Sequence, residues 1–336
     1  MGDREQSGNV RFRSLYMFAA ALLALLAAHE WIAGLFAGSP RVLAALTVFV
    51  AVFVQATPFL IVGVLLSASI ATFASPQILQ RILPRQRHAA VGAAGMAGLA
   101  LPGCECGSVP VARRLIDQGA PSAVALTFML SAPAINPVVL VSTAVAFTGY
   151  PEMVAARFAG SLATALIVGW VWMAIAKPNW MKSARSAAAP GCSHDDPRGG
   201  RFHTFSSAAR HDLIQAGAFL ALGAAIAAAL RVFVPDRVYD HIAGNLLIGV
   251  LVMAALAVLL ALCSEADAFV AASLTMMPLL PRLVFLVVGP AVDVKLIAMQ
   301  AGTFGKGFAG RFAPLTFLIA VICGCAAGLV FLGADA

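Results

Sequence analysis

Charged side chains are scarce in this sequence. Asp, Glu, Lys and Arg make up 11% of its 336 residues, against about 25% in a soluble globular domain. That deficit excludes a fold with an ordinary solvated surface. Apolar residues fill 61% of the chain and mean hydropathy is +0.92, so at roughly 20 apolar residues per span the chain crosses a bilayer many times. Cysteine is sparse as well: six residues cannot staple a disulfide scaffold of this length, and each thiol is judged by its place in the membrane. No basic tract interleaved with aromatics occurs, so the formal charge of +7 reads as loop orientation and no nucleic-acid partner is expected; membrane lipid is. A phosphate-binding glycine loop and a zinc-protease motif are missing too. We therefore expect no enzyme, no cofactor and no resident metal.

The first apolar stretch, Ser14 to Gly38, follows a polar head with Arg4, Arg11 and Arg13. It is too long for a signal peptide and reads as a retained first span with the N-terminus in the cytoplasm. Beyond it the sequence repeats itself. Gln55 to Gly63 matches Gln215 to Gly223 at an offset of 160, Cys104 matches Cys263 at 159, and Pro133-Ala134-Ile135-Asn136 matches Pro290-Ala291-Val292-Asp293 at 157. Collinear matches that include Gln, Cys, Pro and Asn/Asp point to duplication, with units of about Arg41 to Arg157 and Ser207 to Arg311 plus a closing span each.

Within each unit one stretch is too short to cross. Ala89 to Leu101 runs into Pro102-Gly103-Cys104-Glu105-Cys106-Gly107, followed by the short run Ser108 to Ile116. This is either a broken span or a re-entrant hairpin, and the basic residues discriminate. With hairpins and an inside N-terminus, 16 of the 22 basic residues fall at cytoplasmic ends; Arg41, Arg157, Arg231, Arg237 and Arg282 fall outside, and Lys295 within a span. Full crossings would divide them nearly evenly, against the positive-inside bias. The expected fold is thus an all-α polytopic membrane protein of two inverted repeats, each with a re-entrant broken-helix hairpin. It has about seven full spans (near 14–37, 41–73, 120–148, 153–176, 208–234, 282–304 and 312–333) and two hairpins (88–116 and 245–277). The divisions are an N-terminal span (1–40), a first repeat (41–176), a cytoplasmic linker (177–206) and a second repeat (207–336). Trp170, Trp172 and Trp180 fit an interfacial belt or scattered packing.

The chemistry sits at the breaks. Pro102-Gly103 ends one half-helix and Pro110 is expected near the start of the next, which puts Cys104 and Cys106 just before a half-helix N-terminus. The partial positive charge there favours thiolate, and two thiols one residue apart can reach one soft centre such as Cu(I), Zn(II) or a trivalent metalloid. Two buried cysteines packing as small hydrophobes is the plainer alternative. In the second hairpin, Cys263-Ser264-Glu265-Ala266-Asp267 carries two acids that are costly at such depth unless paired or wetted. Asp293 and Lys295 raise the same point; residues at i and i+2 of a helix do not face each other, so separate partners are expected. Asn136 and Asp293 are kept as paired candidates where Pro133 and Pro290 break their helices. Cys323-Gly324-Cys325 reads as a small-residue packing surface, and Cys192 as part of a solvated linker.

The runs Leu101 to Pro110, Ser131 to Pro137, Ser264 to Phe269 and Gly289 to Lys295 resemble the predicted permeases that include the methylarsenite efflux permeases. The resemblance covers roughly Arg41 to Phe312. It implies a prokaryotic inner-membrane protein that exports trivalent organoarsenicals through cysteine thiols.

The expected function is an inner-membrane permease that exports a small thiophilic solute, most simply a trivalent methylated arsenical, by proton-coupled alternating access. Cys104, Cys106, Cys263 and Asn136 would bind the small-molecule or metalloid cargo; Glu105, Glu265, Asp267, Asp293 and Lys295 would handle charge and protons. The alternative is a membrane thiol-disulfide oxidoreductase cycling Cys104 and Cys106. The sequence sets no oligomeric state.

Overall fold

The computed structural model describes residues 40–73, 84, 86–100, 105–176, 180, 201–233, 246–275 and 277–333. The expected span at 14–37, Cys104 and Cys192 lie outside the described residues. Every regular element among those residues is helical: α1 (Pro40–Phe73), α2 (Arg87–Ala97), α3 (Glu105–Asp117), α4 (Ser122–Ile135), α5 (Pro137–Ala146), α6 (Glu152–Ile175), α7 (Arg201–Phe233), α8 (Leu246–Leu260), α9 (Ser264–Ser273), α10 (Leu279–Val288), α11 (Val294–Thr303) and α12 (Lys306–Phe331). The chain divides into two units at Val48. Of the first, residues 40–48 are described, the opening turns of α1, where Thr47 Oγ1 donates to Leu43 O at 2.9 Å. The remaining helices belong to the second unit, Phe49–Ala336.

Among the described residues, three stretches are long and apolar enough to cross a bilayer: Ser122–Ala146, which joins α4 and α5, then Glu152–Ile175 and Lys306–Phe331. At about 1.5 Å per residue each exceeds the roughly 30 Å hydrocarbon layer. This is a helical membrane protein. Its centre is the pairing of α6 with α12, flanked by α4 on α6 and α10 on α12. Since lipid is as apolar as Leu, such helices associate through close packing over small residues. A Cβ at Gly324 would stand 3.3 Å from Val284 Cα, so the Cys323-Gly324-Cys325 run is a seat for α10. Trp172 is no belt residue. It is 1% exposed and lies edge-on to Phe308 and Phe312, whereas Trp170 is exposed.

The breaks fall where backbone chemistry places them. Pro133 lies inside α4 and does not end it; Asn136 does, at φ −65° and ψ 155°. Pro137 is the cause, because a proline pushes its predecessor out of the helical region. Pro110 likewise lies inside α3, which begins five residues earlier at Glu105, an acid that suits the positive end of a helix. In the second half the chain leaves the helix over 289–293, and Asp293 caps α11. Between α8 and α9, Ala261 turns the chain with φ +47°.

Two further relations position the site. Arg87 at the start of α2 and Ser122 at the start of α4 line one cavity, and residues 118–121 alone separate α3 from α4. The α2–α3 pair therefore begins and ends at the same end of the bundle. There, Arg114 grips Asp212 of α7 through Nη2 to Oδ1 at 2.9 Å and Nε to Oδ2 at 3.2 Å, and Ser67 Oγ donates to Asp212 Oδ2 at 2.7 Å. Each short helix also packs across the chain, α3 on α11 and α9 on α5.

Candidate functional site

Three short helices, α3, α9 and α11, begin close together in the interior, and a fourth, α5, begins at the break in the 122–146 stretch. Glu105 opens α3 and Ser264 opens α9, 159 residues apart; Asn136 and Asp293 are the N-caps of α5 and α11. Asn136 Oδ1 accepts from Val139 N at 2.9 Å and its Nδ2 donates to Ala132 O at 3.1 Å, so one amide joins the two halves of the broken span. Asp293 Oδ1 accepts from Leu296 N at 2.5 Å. These caps satisfy backbone groups that water cannot reach at this depth.

Lys295 is the hub. Its Nζ donates to Glu105 Oε1 at 2.5 Å and to Leu262 O at 3.4 Å, and stands 3.6 Å from Asp293 Oδ2. Ser264 Oγ donates to the other Glu105 oxygen, Oε2, at 3.2 Å. Lysine and both acids are at most 1% exposed. The expectation that Asp293 and Lys295 find separate partners is therefore wrong. It assumed helical spacing, but Asp293 is an extended cap, outside the helix, and its carboxylate folds back toward Lys295.

A second cation was missed. Arg157, placed at an outer end by the charge count, is fully buried in α6. Its Nη1 donates to Thr143 Oγ1 at 2.6 Å and its Nη2 to Ser264 O at 2.8 Å. Asp267 and Glu265 lie within its electrostatic reach. The signal was present in the sequence, a lone Arg inside the apolar run 153–175, but its partners come from α5 and α9 and only folding brings them near. Arg282 is also buried, in α10.

Asp267 is 2% exposed and sits against Gly289, where a Cβ would stand 2.6 Å from its Oδ2. Among the described residues, Asp267 Oδ2, Asp293 Oδ2, both Glu265 oxygens and Arg157 Nε have no hydrogen-bond partner. Four acids thus share two cations, and all of these but Glu265 are fully buried. Leaving such groups under-satisfied costs free energy that a purely structural network would avoid, which makes the cluster the candidate site.

Cys106 is the second residue of α3 and is fully buried; Cys263 is the N-cap of α9 and nearly so. Both thiols lie within electrostatic reach of Lys295. The structure thus gathers Glu105, Cys106, Cys263, Asp267, Asp293 and Lys295 around one centre. Glu265 is less buried, at its margin. Asn136 holds its own helix break.

Residues 41–329 match a family described as "Predicted permease". The UPF0718 protein YcgR of Bacillus subtilis is 36% identical over 280 residues, 82% of this chain and 93% of that protein. A Streptococcus mutans protein, named as a subunit of a two-component membrane permease complex, is 33% identical over 285 residues, 84% of this chain and 94% of its own. No solved structure matches. With the family match running through all four helix starts and the buried charge cluster, the chain belongs to the predicted-permease family of membrane transporters.

Proposed function

We propose that this permease exports a small thiophilic solute, most simply a trivalent methylated arsenical, across the inner membrane by proton-coupled alternating access. In this reading the N-terminus is cytoplasmic, 1–40 is a separate span, 41–176 and 207–336 are inverted repeats each with a re-entrant hairpin, and 177–206 is a cytoplasmic linker. The observation that carries it is the junction of Glu105, Ser264 and Lys295, where the starts of α3 and α9 meet with Cys106 and Cys263 beside them. Half-helix starts meeting deep in a membrane domain are the usual seat of a transporter's cargo. A soft trivalent centre exchanges its labile hydroxyl ligands for thiol sulfurs, each exchange releasing one water. Cys106 and Cys263 supply two sulfurs, and Cys104 a third. Asp267 and Asp293 take and release the coupling proton.

Everted membrane vesicles test this. With an imposed pH gradient, wild-type vesicles should accumulate methylarsenite, and Cys106→Ser should abolish the accumulation while Cys323→Ser and Cys325→Ser leave it intact. Undiminished uptake in the Cys104→Ser, Cys106→Ser double variant would sink the thiol mechanism.

A further inference from the structure

The ion pair of Arg114 with Asp212 lies outside the charge cluster, yet one helix carries both. α3 begins at Glu105 and Cys106 and holds Arg113 and Arg114 in its last turns, so at about 1.5 Å per residue Arg114 stands roughly 14 Å along the axis from Glu105. α11 runs beside it. Lys295 holds Glu105 at one end, and eight residues further along both helices Arg113 Nη1 donates to Thr303 O at 3.4 Å. The two helices thus start together at the cluster and finish together at one end of the bundle, and α7 packs against both.

The two ends of α3 are held differently. Near its start the grip is backbone on backbone, since a Cβ added to Gly63 of α1 would overlap Gly107 Cα. At its far end the grip is side chain on side chain: Asp212 accepts from Arg114 Nη2 and Nε at 2.9 and 3.2 Å and from Ser67 Oγ at 2.7 Å, the bidentate geometry of a strong charge-assisted pair. The arginine side chain is 24% exposed and the aspartate 11%, against 1% for Lys295 and for Glu105. Parting the inner pair would strand two charges in a dry place, whereas water already reaches Arg114 and Asp212. The far pair is therefore the one that can open. At the offsets of the sequence repeat, 159 and 160, Arg114 corresponds to Ser273 and Asp212 to Val52; neither is charged, and Ser273 Oγ bonds within its own helix to Val270 O.

We propose that Arg114 and Asp212 form the latch of a gate on the side of the membrane where α3 ends. Closed, as here, it holds α3 against α7 and keeps Cys106 buried. Open, it lets that end of α3 swing from α7 about the Gly63–Gly107 contact and admits cargo to the cluster from this side alone. The inference rests on the alternating-access reading above and adds which side is latched and by which residues.

The test uses the full chain in membrane vesicles of both orientations, with Cys106 as its one cysteine and a membrane-impermeant methanethiosulfonate as the probe. Labelling reads access to the cluster and needs no cargo. From the face where α3 ends, Asp212→Asn and Arg114→Gln should each speed labelling about tenfold, a shift of about 1.4 kcal/mol toward the open state, while the rate from the other face does not rise. The charge swap, Arg114→Asp with Asp212→Arg, should bring the rate most of the way back. Salt at about 1 M, which cuts the screening length to about 3 Å, should speed labelling from the same face with the latch residues intact, an arm that decides even if a latch variant fails to fold. Rates unchanged in both variants and in salt, or raised equally from both faces, overturn the latch. Methylarsenite uptake separates the two readings: vesicles that accumulate none but label faster in Asp212→Asn lose the cargo reading and keep the gate, and uptake with unchanged labelling does the reverse.

Discussion

Ser264 Oγ donates to Glu105 Oε2 across 159 residues of sequence, at 3.2 Å, and each of the two residues is the first of its helix. The separation equals the offset at which Cys104 matches Cys263 in the sequence. In the duplication read from the sequence these two positions correspond, and they differ in chemistry: one is an acid, the other a hydroxyl. A symmetric pair of glutamates would repel in so dry a place. The asymmetry leaves one carboxylate for one lysine, with Ser264 filling the remaining oxygen.

Lys295 and Glu105 should behave as a unit. Removing one partner of a buried pair leaves an uncompensated charge and costs about 3–5 kcal/mol, whereas removing both is often close to neutral. Lys295→Met and Glu105→Gln alone should therefore each lower Tm sharply in detergent. The double variant should recover most of the loss and still fail to transport. Additive losses in that cycle would mean that the two side chains are not coupled.

The turn at Ala261 should tolerate more than alanine. At φ +47° an L-residue pays a steric penalty that glycine does not, about 1–2 kcal/mol. Ala261→Gly should leave Tm unchanged or raise it, and Ala261→Val should lower it, since a β-branched side chain fits that region worst. A fall in Tm for the glycine variant would show that the φ is not a strain.

Architecture is legible in the sequence to a greater depth than partner choice. Helical membrane character, the helix break at Cys263 and the acids Glu265 and Asp267 that follow it are legible in composition, hydropathy and charge, because burying ionisable groups in apolar runs is conspicuous in one dimension. The pairing of those groups does not follow. Asp293 reads as helical because its segment is apolar, and its extended cap conformation reverses the conclusion about Lys295. The count of basic residues puts Arg157 at an outer end, but its role depends on Thr143 and Ser264, which no spacing rule connects. Pro133 draws attention that belongs to Pro137, whose effect falls on the residue before it.

Sidedness has a direct check. Since 122–146 is long enough to cross and α2–α3 begins and ends at one end of the bundle, cysteines introduced at His88 and Gln118 in a thiol-free background should label from one side of the membrane. A cysteine at Gly149 should label from the other. Labelling of positions 88 and 118 from opposite sides would require the α2–α3 segment to cross fully.

Gly289 should be intolerant of a single methyl group. The Cβ of Gly289→Ala would stand 2.6 Å from Asp267 Oδ2, a distance that real atoms do not keep, so the carboxylate must move from its place among Arg157, Glu105 and Lys295. Transport in vesicles should fall while membrane insertion persists. Pairing the change with Asp267→Ser, which shortens the side chain, should restore Tm without restoring transport. Gly149→Ala, with nothing within 4 Å of the new Cβ, is the silent control.

Asn136 and Asp293 separate capping from charge. Both cap the second half of a helix pair, through Val139 N and Leu296 N respectively, and Asn and Asp cap about equally well. Asp293→Asn therefore keeps the α11 cap and removes one acid from beside Lys295, which retains Glu105. Its Tm should stay near wild type while transport loses its dependence on the pH gradient. Asp293→Ala removes the cap as well and should lower Tm by the equivalent of about 1 kcal/mol. Asn136→Asp makes the converse change, keeping the α5 cap and burying an added charge next to Ala132 O, which then loses its donor. That variant should be the least stable of the three, because the new carboxylate meets a carbonyl in place of a cation. If Asp293→Asn transports with an unchanged pH profile, the acid serves only as a cap and the coupling proton is carried elsewhere in the cluster, with Asp267 the next residue to replace.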